Sequence, residues 1–168
     1  DMAMYNAKAQ GKGRVEVFND ALRDSAEHQL MLKVELPRAL KAGEFRLVYQ
    51  PIHDVASCSM SGFEALVRWD HPDRGEVPPL EFISAAEESG LILDLGRWVL
   101  GEAATQAVEW NDASPRELSM SVNVSAVQLQ HPDFLDDVAA ALASSGLAPH
   151  LLTLELTESV LVETSRVV

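Results

Sequence analysis

The sequence lacks several features that define other classes of protein. It contains one cysteine, Cys58, which excludes an internal disulfide framework and a cysteine-based zinc cluster. No run of about 18 uncharged apolar residues occurs, and no basic segment precedes a short apolar stretch, so the given residues predict neither a membrane span nor a signal peptide. These absences predict a soluble segment without membrane contact, and a reducing compartment such as the cytoplasm, although upstream sequence could still anchor the parent protein.

Basic residues are also scarce. Thirteen lysines and arginines face 26 aspartates and glutamates, and the formal net charge is −13. This charge has the wrong sign for general adhesion to duplex nucleic acid or anionic lipid. An anionic substrate would therefore have to be met by a few local arginines or by metal ions that acidic residues hold.

Both ends of the chain suggest a piece of a longer protein. The sequence begins with Asp1 rather than methionine and stops at Val168, directly after a predicted strand. Residues 1–20 predict a short helix closed by Gly11 or Gly13, then a strand over residues 14–18, which is too little for a domain. The apolar content of 47% is nevertheless enough for a globular core.

Residues 21–42 follow a helical pattern that Gly43 ends. Pro37 lies inside this pattern, and because proline removes a helical hydrogen bond we expect a kink or a restart there, with Pro37 in a new first turn. The predicted apolar face consists of Leu22, Ala26, Leu30, Val34 and Leu40.

Strands and helices alternate through the rest of the chain. Residues 45–52 and 60–69 read as two strands that could form a hairpin. Helices are predicted over residues 80–88, 92–111 and 132–145, and further strands over residues 118–124 and 151–156. This order predicts an α/β fold with a mainly parallel sheet, of the doubly wound or (β/α)-barrel kind.

The strands carry an unusual polar face. Successive side chains point to opposite faces of a strand, so each strand carries an apolar row on one face and a polar row on the other. The polar rows contain Glu64 and Arg68, then Ser119, Ser121, Asn123 and Ser125, then Thr153, Glu155 and Thr157. If helices cover the apolar rows, then Glu64, Asn123 and Glu155 could meet at one end of a barrel. Two carboxylates and an amide suit a hard cation such as Mg²⁺ or Mn²⁺.

Arg68 is a candidate phosphate contact. Four strand residues separate it from Glu64 by roughly 13 Å, too far for direct pairing. Its guanidinium suits a phosphate oxygen, and a structural salt bridge elsewhere is an equal alternative. The five histidines show no metal-binding spacing.

Several segments, in this order, resemble the opening half of the EAL domain family. They are LVYQPI at 47–52, GFEALVRW at 62–69 with the naming triplet at 64–66, PLEFI at 79–83, GLI at 90–92, VNVS at 122–125 and LELTE at 154–158. The resemblance implies a modified TIM-type (β/α) barrel whose first strand is antiparallel to the others. It also implies metal-dependent hydrolysis of cyclic di-GMP to linear pGpG in bacterial second-messenger signalling.

The resemblance also assigns roles to residues. It implies that Glu64, Asn123 and Glu155 are metal ligands, with Glu64 and Glu158 catalytic and Glu158 supporting a catalytic loop. Gln50 and Arg68 would lie at the substrate end, and Leu66 would line the nucleotide pocket. In the family a two-metal site with Mg²⁺ or Mn²⁺ is completed by an Asp-Asp pair and a lysine from later sequence.

The resemblance divides the chain into three parts. Residues 1–20 resemble the C-terminal remnant of a GGDEF-type domain, through AMY at 3–5, AK at 7–8 and GKGR at 11–14. Residues 21–43 would be a linker helix, and residues 44–168 the N-terminal half of an EAL domain. Because half a barrel lacks part of the site, we expect the chain alone to be inactive.

Two other functions remain open. A degenerate EAL domain could bind cyclic di-GMP as a receptor without cutting it, and the residues expected after Val168 would decide between enzyme and receptor. The helix over residues 21–42 could instead relay an upstream signal through a homodimer.

Overall fold

The computed structural model describes the backbone of residues 20–156 and the side chains of residues 27–156. The helix and strand predicted before residue 20, the GGDEF-type remnant and Glu158 lie outside this range. The helices are α1 (Asp20–Ala42), α2 (Pro79–Ser89), α3 (Ile92–Ala113), α4 (Ala126–Leu129) and α5 (Phe134–Ser145). The strands are β1 (Phe45–Asp54), β2 (Ser59–His71), β3 (Gly75–Val77), β4 (Ser119–Val124) and β5 (Leu152–Leu156). A 3₁₀ turn, Pro149–Leu151, precedes β5.

One mixed sheet organises the described residues. Its strand order is β1-β2-β4-β5, and the short β3 pairs with the end of β2. β1 and β2 form an antiparallel hairpin, whereas β2, β4 and β5 are parallel. This confirms the predicted α/β class and the antiparallel first strand. Within residues 20–156 the sheet remains open, as expected for part of a barrel.

The crossover from β2 to β4 consists of α2 and α3, which cover the apolar face of the sheet. α2 begins at Pro79, where proline is well tolerated, and ends at Gly90, whose φ of 77° is left-handed. The helix predicted over residues 92–111 is present as α3, and five positions on its inward face are each at least 92% buried: Ile92, Leu95, Val99, Ala103 and Ala107. The helices therefore hold β2 and β4 against one hydrophobic core.

Aromatic rings close the core near the hairpin. The Phe45 and Trp69 rings stack with centroids 5.6 Å apart, and Phe82 meets Trp69 edge to face at 5.8 Å. Near the middle of β1, Tyr49 packs edge to face on Trp110 of α3 at 4.8 Å. Burial, with smaller effects from the charges of nearby glutamates, raises the pKa of Tyr49 to about 12, so its phenol stays protonated at alkaline pH values where an exposed tyrosine ionises.

The face of α1 that packs inward differs from the prediction. Leu30 and Val34 are 64% and 73% exposed, whereas Leu32 and Leu36 are fully buried against the core. Lys33 Nζ lies 2.5 Å from Glu88 Oε2 of α2. The sequence of α1 contains two apolar stripes. The burial of Leu32 and Leu36, together with this ion pair, shows which of them packs inward.

The predicted restart of α1 at Pro37 is wrong. The helix runs without interruption from Asp20 to Ala42 with Pro37 inside it. An internal proline costs about 3 kcal/mol. The proline is exposed, while Leu36 and Ala39 around it are fully buried, and this packing offsets the cost.

Three short elements were absent from the sequence prediction: β3, α4 and the 3₁₀ turn. Each spans three or four residues, too few for a period to be recognised. None of the helices within the described range combines the length and apolar character needed to cross a membrane.

Two glycines, one on β2 and one on α3, offer alanine substitutions that test the packing around them. A Cβ at Gly62 of β2 would lie 2.2 Å from Ser119 Oγ and 2.4 Å from the Ser119 carbonyl oxygen. We predict that Gly62→Ala destabilises the protein by about 2 kcal/mol or more, because neither strand can move aside without loss of pairing. Gly101 of α3 has nothing within 4 Å of a new Cβ, so Gly101→Ala should stabilise by about 1 kcal/mol.

Thermal melting of the two alanine variants provides the measurement. Equal melting temperatures for Gly62→Ala and the unmodified protein would contradict the close approach of β2 to β4.

Candidate functional site

The pairing register places the predicted site residues on one face of the sheet. Glu64 of β2 is opposite Ser121 of β4, and Asn123 of β4 is opposite Glu155 of β5. On the other side of β2, Gln50 is the antiparallel partner of Glu64. Paired residues project to the same face of a sheet, and alternation puts Ser121 and Asn123 on that face together. The predicted convergence of the polar rows is thus present in the strand register.

Glu64 and Asn123 are in direct contact. Asn123 Nδ2 donates a hydrogen bond of 2.6 Å to Glu64 Oε1. The two residues are diagonal neighbours on adjacent strands, a separation that long side chains can span. Rotating the amide by 180° would present Asn123 Oδ1 in place of the nitrogen, so both side chains can offer oxygen to a cation between them.

Glu155 stands beside this pair rather than within a compact acidic cluster. It is half-buried on β5, opposite Asn123. Across the described part of the chain, no three Asp, Glu, His or Cys side chains are grouped closely enough to hold a metal. The oxygen donors on this face are two carboxylates and one amide, a set of the kind that suits hard divalent cations.

Arg68 does not pair with Glu64, as expected from their separation. Its Nη1 donates to its neighbour's carbonyl, Val67 O, at 2.8 Å, and its Nε lies 3.8 Å from Glu76 Oε1 of β3. The structural salt bridge that the sequence left open is therefore present. Arg68 also lines a cavity.

This cavity has a volume of about 380 Å³ and lies between the sheet and helices α2 and α3. Its size is within the usual range of small-molecule sites. It is lined by Ala65, Leu66, Val67, Arg68, Pro79, Leu80, Ile83, Ser84, Glu87, Ile92, Leu95, Gly96, Val99, Asn123, Val124, Ser125 and Gln128. The predicted residues Leu66, Arg68 and Asn123 thus share one pocket, whereas Gln50 and Glu64 are not among its lining residues.

Several lining residues were missed from the sequence. Leu80 is 93% exposed in the first turn of α2 and supplies an apolar rim. Gln128 and Gly96 lie on α4 and α3, whose cavity-facing positions carry no catalytic signature. The spacing of Ser125 and Gln128, which is typical of a helix capping box, could have identified Gln128.

Comparisons with known proteins agree with this arrangement. The family model described as EAL domain matches residues 33–168. The bifunctional diguanylate cyclase/cyclic di-GMP phosphodiesterase MucR of Pseudomonas aeruginosa is 40% identical over 159 residues, 95% of this chain and 23% of MucR. The cyclic di-GMP phosphodiesterase PdeR of Escherichia coli is 39% identical over 163 residues, 97% of this chain and 24% of PdeR.

Among solved structures, the PaMucR phosphodiesterase in its c-di-GMP complex superimposes with a TM-score of 0.75 at 38% identity. That match covers 81% of this chain and 55% of the solved one. The chain thus spans about a quarter of the length of these two curated relatives. Because the family model matches most of the sequence, the chain belongs to the EAL domain family.

Proposed function

We propose that the protein containing this chain hydrolyses one phosphodiester bond of cyclic di-GMP to give linear pGpG, in a metal-dependent reaction of bacterial signalling. The contact between Glu64 and Asn123 carries the proposal. Glu64 lies two residues from Leu66 on β2, and both Leu66 and Asn123 line the cavity. Oxygen ligands then lie next to a pocket of small-molecule size. The names of MucR and PdeR, and the c-di-GMP complex of PaMucR, support this substrate.

The residues present fit a hard divalent cation. Glu64 and Asn123 would hold it, with Glu155 on the adjoining strand as a third oxygen donor. A bound Mg²⁺ or Mn²⁺ supplies an activated water and polarises the phosphoryl group. The second ion of a two-metal site requires further ligands, which we expect from the Asp-Asp pair and lysine of later sequence, with Glu158 supporting the catalytic loop.

The remaining predicted residues would orient the nucleotide. Arg68 would exchange its exposed partner Glu76 for a phosphate oxygen, a contact that the guanidinium fork favours. Leu66 provides an apolar wall in the same cavity. Gln50, opposite Glu64 on β1, would contact the substrate beside the metal.

The proposal extends to the organisation of the parent protein. Residues 1–20 would end a GGDEF-type domain, residues 21–43 would be the linker helix and residues 44–168 the first half of the EAL domain. The exposed Leu30 and Val34 on α1 would support homodimerisation in the parent. The single cysteine favours the cytoplasm as the site of the reaction.

A receptor that binds cyclic di-GMP without cleavage is the second candidate. It is favoured by the lining of the cavity, which includes Arg68 and does not include Glu64. A receptor would still need the pocket and Arg68, but it would not need Glu64.

The role of Glu64 separates the two candidates. In the protein expressed from its complete gene, we predict that Glu64→Gln lowers turnover of cyclic di-GMP by at least about 100-fold, because the metal and its water lose a charged ligand. Nucleotide release is measured by chromatography with Mg²⁺ or Mn²⁺ present, and circular dichroism verifies the fold. Unchanged turnover by the folded variant would refute the assignment, and an unmodified protein that binds but never cleaves would establish the receptor.

Metal and nucleotide contacts should respond to different substitutions. We predict that Asn123→Ala weakens Mn²⁺ binding about tenfold, whereas Arg68→Ala leaves Mn²⁺ affinity nearly unchanged and weakens cyclic di-GMP binding. Each variant is titrated first with Mn²⁺ and then with nucleotide by calorimetry. Equal losses of metal and nucleotide affinity in both variants would contradict this division.

A further inference from the structure

A buried hydrogen-bonded turn begins at Ser125, two residues after Asn123. Ser125 caps the short helix α4, with Gln128 N donating to Ser125 Oγ at 3.3 Å. Gln128 returns the bond, because its Oε1 accepts from Ser125 N at 3.1 Å. Both side chains belong to residues only 6% exposed, so these bonds are shielded from competing water.

The Gln128 side chain fits into a space that Gly96 leaves on α3. A Cβ at position 96 would lie 1.9 Å from Gln128 Nε2 and 2.8 Å from Cδ. Any side chain at this position would collide with the amide. The absence of one therefore lets α3 fix the Gln128 amide, and this amide holds the backbone at Ser125 because its Oε1 accepts from Ser125 N.

Asn123 depends on this turn because strand pairing supports it on one side only. The described pairing of β2 with β4 ends at Ala65 and Val122, one residue before Asn123. β5 still pairs with Asn123 and Val124 on the other side. On the side that faces Glu64, the position of Asn123 is set by the backbone that follows it.

We propose that Gln128 is a positioning residue for the candidate metal site. Seated on Gly96 and bonded to Ser125, it holds the end of β4 so that the Asn123 amide meets Glu64. This inference rests on the proposed function, in which Asn123 is a metal ligand. It assigns to Gln128 a role through Asn123 and no contact with metal or substrate.

The test measures Mn²⁺ affinity in the protein expressed from its complete gene, by electron paramagnetic resonance of free Mn²⁺. Gln128→Leu keeps the approximate side-chain size and removes the acceptor for Ser125 N, while the backbone N at position 128 can still donate to Ser125 Oγ. We expect Mn²⁺ affinity to fall about 10- to 100-fold, the usual effect of losing a group that orients a metal ligand. Gln128→Glu keeps the acceptor for Ser125 N, as capping boxes allow, and should restore affinity to within about threefold.

Asn111→Leu is the matched control at the opposite end of β4. The Asn111 side chain accepts from Leu118 N at 2.8 Å and donates to Leu118 O at 3.0 Å, so its loss loosens the start of the strand. This variant should melt at a lower temperature, as Gln128→Leu should, yet bind Mn²⁺ normally. If Gln128→Leu does not fold, Ser125→Ala removes one of the two bonds and is compared in the same way.

Two outcomes would overturn the inference. Either Gln128→Leu binds Mn²⁺ as the unmodified protein does, or Asn111→Leu loses as much affinity as Gln128→Leu. Either outcome counts against the inference only if Glu64→Gln weakens Mn²⁺ binding in the same assay, because that variant shows that the assay reports the candidate site. If Glu64→Gln leaves Mn²⁺ affinity unchanged, the metal site itself is wrong, and with it the proposed function.

Discussion

The position of β4 between β2 and β5 is the constraint on which the candidate site depends. Glu64, Asn123 and Glu155 come from three different strands, so no local segment can bring them together. The parallel register aligns Glu64 with Ser121 and Asn123 with Glu155. A shift of one residue would turn Asn123 toward the core and replace it with Val122 or Val124, because side chains alternate between faces. The buried Met120, which lies on the core side of β4, opposes such a shift.

The helices complete the site from the other side. α2 and α3 use their inward faces to cover the sheet and their edges to line the cavity, so the same packing that stabilises the fold also shapes the pocket. α1 packs on the far side of α2, where Lys33 pairs with Glu88. The position of α2, and with it the apolar rim at Leu80, is therefore determined by both α1 and the core.

Period-two alternation in the strands was enough to predict the polar face, because a strand has only two faces and one of them had to be apolar. The same kind of pattern failed for α1. This helix has two possible inward faces, one with Leu30 and Val34 and the other with Leu32 and Leu36. Only contacts with residues distant in the sequence decide which of the two faces packs inward. The separation of Arg68 from Glu64 followed from strand geometry, whereas its partner Glu76 belongs to β3, which is too short to predict.

The cavity was harder to predict from the sequence than the polar face of the sheet. Its walls come from β2, β4 and three helices, α2, α3 and α4, and residues such as Gly96 and Gln128 acquire their roles only when these helices meet. Family resemblance identified Leu66, Arg68 and Asn123 as members of one site, and the cavity contains all three. Composition contributed the acidic balance, which is consistent with cation binding but assigns no ligand.

The central claim is that Glu64 and Asn123 exchange their mutual hydrogen bond for a shared cation. It is tested most directly by crystals of the protein expressed from its complete gene, grown with Mn²⁺ and examined by anomalous diffraction. The account predicts an Mn²⁺ peak about 2.0–2.6 Å from a Glu64 carboxylate oxygen and from Asn123 Oδ1, with the amide rotated away from its present bond. Mn²⁺ bound elsewhere, with Asn123 Nδ2 still donating to Glu64, would contradict it.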